Sequence, residues 1–477
     1  MAQFVFIIVI LISQISTCWT IRAILTNNYV YDGAELPLNY VDELVRYLCK
    51  DDVISLNFSN KEISAGINQD FISGSLITCL NLMGNIQSIA YGAFNKLPNL
   101  THLFLSNSRL RSQDELLNFG GHNKLQVLII DKAIYSDIYS DYSDYYNPRE
   151  VHISGDYPNL KILFFRKICF SDLSFFSFPK LEILDLSGND ITGTNFVEFL
   201  PSSLYFLDLH DNSLNSLHLS KRMSKLLALN LKNNRFNSIK NNEYSLSVAD
   251  LKALQYLSVS ENKINSIDSG AFQDNNNLLY LNLSTNYINY LHPKTFANLQ
   301  YLKTLDLSNN TLEEVPQISN ETEISVLYIN HNNIKKIISY AFAQMPKLTK
   351  LLMGKNQIDE IDIDAFAFLS ILEELDLSTN ILSFLPDGWA KSLVSLKYLD
   401  LSDNKFTSLE SLSLTSALPI TEMYLMMNPL EYLNVRYFED LPQNLTINLI
   451  NKSKFAKVLA GNEKLHYSNY SFVTHFG

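Results

Sequence analysis

The side chains able to do chemistry are scattered along this sequence rather than gathered. Nine histidines form no His-Glu-x-x-His zinc signature, and fifteen glycines make neither a Gly-x-Ser-x-Gly elbow nor a phosphate loop. The nearest approach to a metal or acid–base group is His210, set between Asp208 and Asp211. Aspartate recurs in the same relative position at Asp185, Asp306, Asp376 and Asp400, so a repeated structural habit explains it better than a site. No catalytic residue, metal or cofactor is expected, and the chain is expected to bind rather than to act as an enzyme.

The elements that would position any such group follow from a period. Leu254-x-x-Leu257-x-Val259-x-x-Asn262-x-Ile264-x-x-Ile267 is followed by Phe272; twenty-four residues later Leu278-x-x-Leu281-x-Leu283-x-x-Asn286-x-Ile288-x-x-Leu291 is followed by Phe296. The frame extends forward through Asn310, Asn332, Asn356, Asn380, Asn404 and Asn428 and back through Asn234, Asn212 and Asn189, at spacings of 22 to 28 residues. That is the period of a leucine-rich repeat. One short strand per repeat pairs in parallel with its neighbours, the leucines point inward, and a single repeat is stable only when others stack on it. The Asn amide, with two donors and one acceptor, can satisfy backbone groups at the turn that leaves each strand. Phe272, Phe296, Phe342, Phe366 and Phe438, with Trp389 one position off, are expected to fill the side opposite the strands.

The fold class expected is therefore α/β: a curved solenoid with a parallel sheet on its concave face, of about sixteen repeats over 53–440, closed by end caps. Toward the amino end Lys61, Ser108, Ala133 and Ile168 replace the Asn, and the unit around Leu80, Leu82 and Asn85 is one residue out of frame. Less regular packing is expected before residue 181. Residues 134–150, rich in Tyr, Asp and Ser, read as an exposed loop, either a docking loop with sulfation targets or a drifting insertion.

With 47% apolar residues the chain is not disordered, and a net charge of −12 argues against nucleic acid or an anionic membrane as partner. Residues 1–20 read as a secretory signal peptide, 21–52 as an amino-terminal cap, and 441–477 as a carboxy-terminal cap and tail. No later segment is long and apolar enough to span a membrane. A secreted, extracellular glycoprotein is expected, with sequons at Asn57, Asn99, Asn282, Asn309, Asn320, Asn444, Asn451 and Asn469. Asn282 lies between two inward leucines, so a glycan there would block the open face. A Cys49–Cys79 disulfide would seal the exposed end of the sheet, and Cys169, beside Ile168 and Phe170, reads as a buried thiol.

The 24-residue form with Phe ten residues after the Asn resembles the extracellular leucine-rich repeat family, and is similar to Toll-receptor ectodomains and the secreted leucine-rich immune proteins of insects. The resemblance implies a binding protein, active in innate immunity; an extracellular matrix or adhesion protein, or a soluble decoy for a Toll-like ligand, are the alternatives. Asn428-Pro429-Leu430-Glu431 runs on into Tyr432 rather than the cap cysteines many members carry, leaving 441–477, or a partner in a dimer, to close the stack. A protein or glycan ligand would meet the concave face, at Tyr328, Asn330, His331, Lys350, Lys355, Tyr398 and Tyr424, with Glu374, Asp376, Asp400 and Met426 alongside. Lys350 and Glu374 sit at equivalent places in adjacent repeats and would neutralise one another. In the early repeats the same columns carry Phe104, Ile129 and Phe164, an exposed apolar stripe unless the Tyr-rich loop covers it.

Overall fold

A computed structural model describes residues 49, 53–58, 65–84, 86–106, 119–132, 150–152, 155–170, 172–174, 178–219, 221–415, 417–431, 445–449 and 471–472. The expected signal peptide and most of the amino-terminal cap, the Tyr-rich segment up to residue 149, and most of the carboxy-terminal cap with its possible dimer contact lie outside them. So do Lys61, Asn85, Ser108, Ala133, Phe438, Asn444, Asn451 and Asn469. The chain divides into two compact units, Met1–Arg235 with Asp250–Ser258, and Phe236–Ala249 with Val259–Gly477.

In the first unit the repeat core Leu-x-x-Leu-x-Leu produces the parallel ladder strands β1 (Val53–Phe58), β2 (Cys79–Gly84), β3 (His102–Ser106), β4 (Val127–Asp131), β5 (Ile162–Arg166), β6 (Ile183–Asp185), β7 (Phe206–Asp208), β8 (Ala228–Asn230) and β9 (Tyr256–Ser258). In the second unit the same pattern gives β10 (Tyr280–Asn282), β11 (Thr304–Asp306), β12 (Val326–Tyr328), β13 (Lys350–Leu352), β14 (Glu374–Asp376), β15 (Tyr398–Asp400), β16 (Glu422–Tyr424) and β17 (Thr446–Asn448). Pairing keeps the central leucines in line. Leu103, Leu128 and Leu163 are register partners in the first unit, as are Leu327, Leu351, Leu375 and Leu399 in the second. All of them are buried. Register matters because strand side chains alternate with period two, so a one-residue slip would turn every leucine outward.

The early repeats depart from expectation. Without the Asn they were expected to pack irregularly, yet β2 to β5 pair without a break, Cys79–His102–Val127–Ile162, and are five or six residues long against three in the later repeats. Longer strands such as Val127–Asp131, buried along their whole length, supply by backbone pairing and burial what the later repeats obtain from the amide.

In the later repeats the Asn ladder works through both ends of the amide. Asn356 accepts from the Ile334 N–H (3.2 Å) and donates to the carbonyls of Ile329 (3.0 Å) and Met353 (2.9 Å). The arrangement recurs at Asn310, Asn332, Asn380, Asn404 and Asn428. Just before each ladder Asn the chain turns through left-handed backbone: Thr285, Asn309, His331, Lys355, Thr379, Asp403 and Met427 have φ between 50° and 61°.

Opposite the strands, aromatic side chains stack from repeat to repeat. Phe272 meets Phe296 (6.2 Å between rings), and Phe366 touches both Phe342 (5.9 Å) and Trp389 (5.8 Å). The first unit has an equivalent row: Phe94, which keeps its place after Asn85, and then Phe119, Tyr157 and Phe178, which the Asn-based frame does not reveal, with ring centres 5.1 to 5.9 Å apart. The returns between strands are turns and short 3-10 segments such as Asn195–Phe199. Cys49 and Cys79 are joined by a disulfide at the start of β2. Cys169, expected to be buried, is exposed: its backbone is left-handed (φ 59°), which turns the thiol out while its neighbours Ile168 and Phe170 fill the interior.

Candidate ligand-binding face

On each ladder strand the residues flanking the inward leucine point to the open side of the sheet, so the binding residues expected from sequence form columns across neighbouring strands. On β4 to β7 of the first unit this side is buried. Phe104, Ile129 and Phe164, expected as an exposed stripe, are register partners and are each 0% exposed. The continuation of their column, Asp185 and Asp208, is also fully buried. Burying carboxylates requires compensation. Arg166 lies 3.6 Å from Asp185 and 4.0 Å from Asp131; the Asp208 carboxylate is 2.7 Å from the His210 ring and accepts from the Asn230 amide. Burial, with the Asp208 charge adding to it, holds the Asp185 carboxyl above its ordinary range, while Arg166 and His210 oppose the rise. Burial works against His210 as well, but the charge and hydrogen bond of Asp208 outweigh it and raise the imidazole. His210 is thus part of a structural polar cluster. Among the described residues no group of three or more His, Cys, Asp or Glu side chains could hold a metal.

The second unit keeps its strand face partly in water. Tyr398 and Tyr424 are brought together on β15 and β16, with ring centres 5.0 Å apart. Around them lie Glu374 and Asp376 on β14, Asp400 on β15 and Glu422 on β16, all exposed or half-exposed. Tyr424 donates its hydroxyl to Glu422 (3.1 Å). Lys350 is paired with Glu374 at 2.9 Å, as the repeat spacing implies, and so is engaged within the sheet. Tyr328 lies on β12, three strands from Tyr398 and in the other column, in register with Leu352, Asp376 and Asp400. Asn330, half-buried, follows it. His331 and Lys355 are exposed on successive left-handed turns, where burial and the Lys355 charge lower the imidazole. The expected residues therefore split into an aromatic and acidic group on β14–β16 and a polar, basic edge at His331 and Lys355. Sequence reading passed over Glu422, Leu352 and Asp403, although the column arithmetic that selects Tyr398 also selects Glu422 in the next repeat.

The sequons divide as well. Asn282 does sit on the strand face but is only 8% exposed, its Oδ1 accepting from the Ser284 N–H and its amide donating to the Tyr280 hydroxyl. Asn309 and Asn320 are exposed; Asn99 is half-buried, its amide donating to the Ser75 carbonyl and its Oδ1 accepting from Lys124. No described helix is long and apolar enough to cross a membrane.

Short parallel strands, an amide ladder and an aromatic row make this a leucine-rich repeat fold. Family models described as leucine rich repeat match residues 180–201, 249–317, 322–382, 346–406 and 370–430. Among curated proteins the chain is similar to Toll-like receptor 2 type-1 of Gallus gallus, 38% identical over 96 residues, covering 20% of this chain and 12% of the receptor. It is similar to podocan of Mus musculus at 27% identity over 374 residues, covering 76% of this chain and 53% of podocan. The chain thus spans about half or less of the length of either relative. Among solved structures, that of the Drosophila Toll–Spatzle complex aligns at TM-score 0.58 and 20% identity, over 84% of this chain and 55% of that one. A Leptospira interrogans leucine-rich repeat protein aligns at 0.52 and 22%, over 79% and 89%. These two likenesses establish the fold.

Proposed function

We propose that the chain is a secreted leucine-rich repeat glycoprotein that binds a protein ligand on the strand face of its second unit, in innate immunity. The observation that carries this is the Tyr398–Tyr424 pair. Two large rings are held in contact on the sheet and left half in water, although the same columns are buried on β4 to β7 of the first unit. Tyrosine offers contact area at low entropic cost, which suits it to a protein interface. A disulfide at the start of the sheet and exposed sequons at Asn309 and Asn320 support an oxidising, secretory route. The Toll–Spatzle structure supports protein binding by this fold.

The test is affinity capture from extracellular fluid with the purified chain, run beside a Tyr398→Ser/Tyr424→Ser variant and a Phe368→Ser control on an exposed site away from these columns. The reading expects a partner retained by the parent and the control and lost by the double variant. Capture of an identical set by all three defeats it. Partners of immune or microbial origin support the immune role, and collagenous or cell-surface partners move it to matrix or adhesion.

A further inference from the structure

We propose that the face of β14–β16 receives a cationic segment of a protein partner, with an arginine or lysine side chain seated over the Tyr398 and Tyr424 rings between the carboxylates of Asp376, Asp400 and Glu422. This rests on the reading of the face as a binding surface and specifies the chemistry it selects.

The argument is one of charge complementarity. Register sets Asp376 directly opposite Asp400, and Glu374 and Glu422 on either side of Tyr398. Like charges directly opposite across a strand pair are destabilising, so the sheet carries an arrangement that a cation would relieve. Lys350 answers Glu374 alone; among the described residues no lysine or arginine pairs with Asp376, Asp400 or Glu422. The two aspartates are also held in position. Asp376 accepts from the Ser378 N–H (2.8 Å), and Asp400 accepts from both the N–H (2.9 Å) and hydroxyl (2.6 Å) of Ser402. Gly354 on the adjoining repeat keeps room for this: a Cβ there would lie 2.8 Å from the Ser378 hydroxyl and 3.0 Å from an Asp376 carboxylate oxygen.

Neighbouring groups register the same field. Burial first, then Asp400, Tyr424, Asp376 and Glu374, push the Tyr398 hydroxyl well above its ordinary value. Burial, with Asp376 adding to it, raises Asp400. Aromatic faces attract cations through their quadrupole, and a guanidinium can stack on a ring while its N–H groups reach a carboxylate. Two touching rings flanked by fixed carboxylates supply both contacts at once.

The probe is a fluorescently labelled Arg-Gly repeat peptide, with a Gln-Gly peptide of equal length as control, titrated into the full chain and followed by anisotropy. The Arg peptide should bind, the Gln peptide should not, and raising salt to about 0.5 M should weaken binding several-fold, because screening acts within a few ångströms at that strength. Asp376→Asn/Asp400→Asn, which keeps the acceptor oxygens for Ser378 and Ser402, should weaken the peptide at least fivefold with an unchanged melting curve. Equal binding of both peptides, or of parent and Asn variant, overturns the inference. Applied to a captured partner, the same Asn variant separates the two claims. A partner lost with Tyr398→Ser/Tyr424→Ser but indifferent to the Asn variant and to salt leaves the face reading intact and refutes the cationic one. A partner indifferent to both variants refutes both.

Discussion

Replacing Asn356 by alanine takes one rung from the amide ladder, and the cost can be worked from its contacts. The side chain accepts from the Ile334 N–H and donates to the Ile329 and Met353 carbonyls. Neither carbonyl is left bare, because Asn332 also donates to Ile329 and Asn380 to Met353. The Ile334 N–H is in a different position: its acceptor is gone, and the residue is buried. A buried donor without a partner costs about 1–3 kcal/mol, and two lost donations of about 1 kcal/mol each bring the total to roughly 3–5 kcal/mol. Urea unfolding of the full chain, followed by circular dichroism, should show the transition of the second unit at lower denaturant. Hydrogen exchange should show faster exchange of the peptide holding Ile334. Gln357→Ala, on the exposed neighbour, should stay within about 0.5 kcal/mol of the parent. A loss below about 1 kcal/mol for Asn356→Ala, or unchanged protection at Ile334, would show that the ladder amide is not what satisfies the turn.

Four further outcomes are expected. Cys79→Ser opens a crosslink with a sequence separation of 30, which should destabilise the first unit by roughly 3–4 kcal/mol in the chain-entropy picture, read as a lower melting midpoint for that unit alone. Thr379→Gly replaces a β-branched residue at φ 50°; relief of roughly 1–2 kcal/mol of left-handed strain, less about 0.5–1 kcal/mol for glycine in the unfolded chain, should raise stability slightly. A fall in stability would mean that the turn column is unstrained. The first unit should lose stability as pH rises. Asp185 keeps its proton in the folded state above the ordinary 3.8, and the charged His210 is stabilised above the ordinary 6.5, so the folded state binds more protons than the unfolded one. Melting across pH 5 to 9 should show the decline, and His210→Gln should flatten its upper part. Glycopeptide mapping of the chain expressed through a secretory route should find glycans at Asn309 and Asn320 and none at the buried Asn282; full occupancy of Asn282 would exclude ligand contact along β10.

Sequence alone was enough for the period, the inward leucines, the Asn column, the later aromatic row and the Lys350–Glu374 pair. Each is a consequence of one repeat meeting its copy at fixed spacing, so knowing one unit and its period gives its contacts with the next. The same logic selects Tyr398 and Tyr424 as neighbours. Where that copying fails, the sequence is silent. Phe119, Tyr157 and Phe178 continue the aromatic row without an Asn to mark their frame. Phe104, Ile129, Phe164, Asp185 and Asp208 are buried in a column that is half-exposed from Asp306 to Tyr424; Cys169 is turned outward by one left-handed residue. Burial of a face, and the φ of a single turn, depend on what the rest of the chain places beside them. Period and composition carry no information about that, so only the tertiary structure decides which stretch of sheet remains available to a partner.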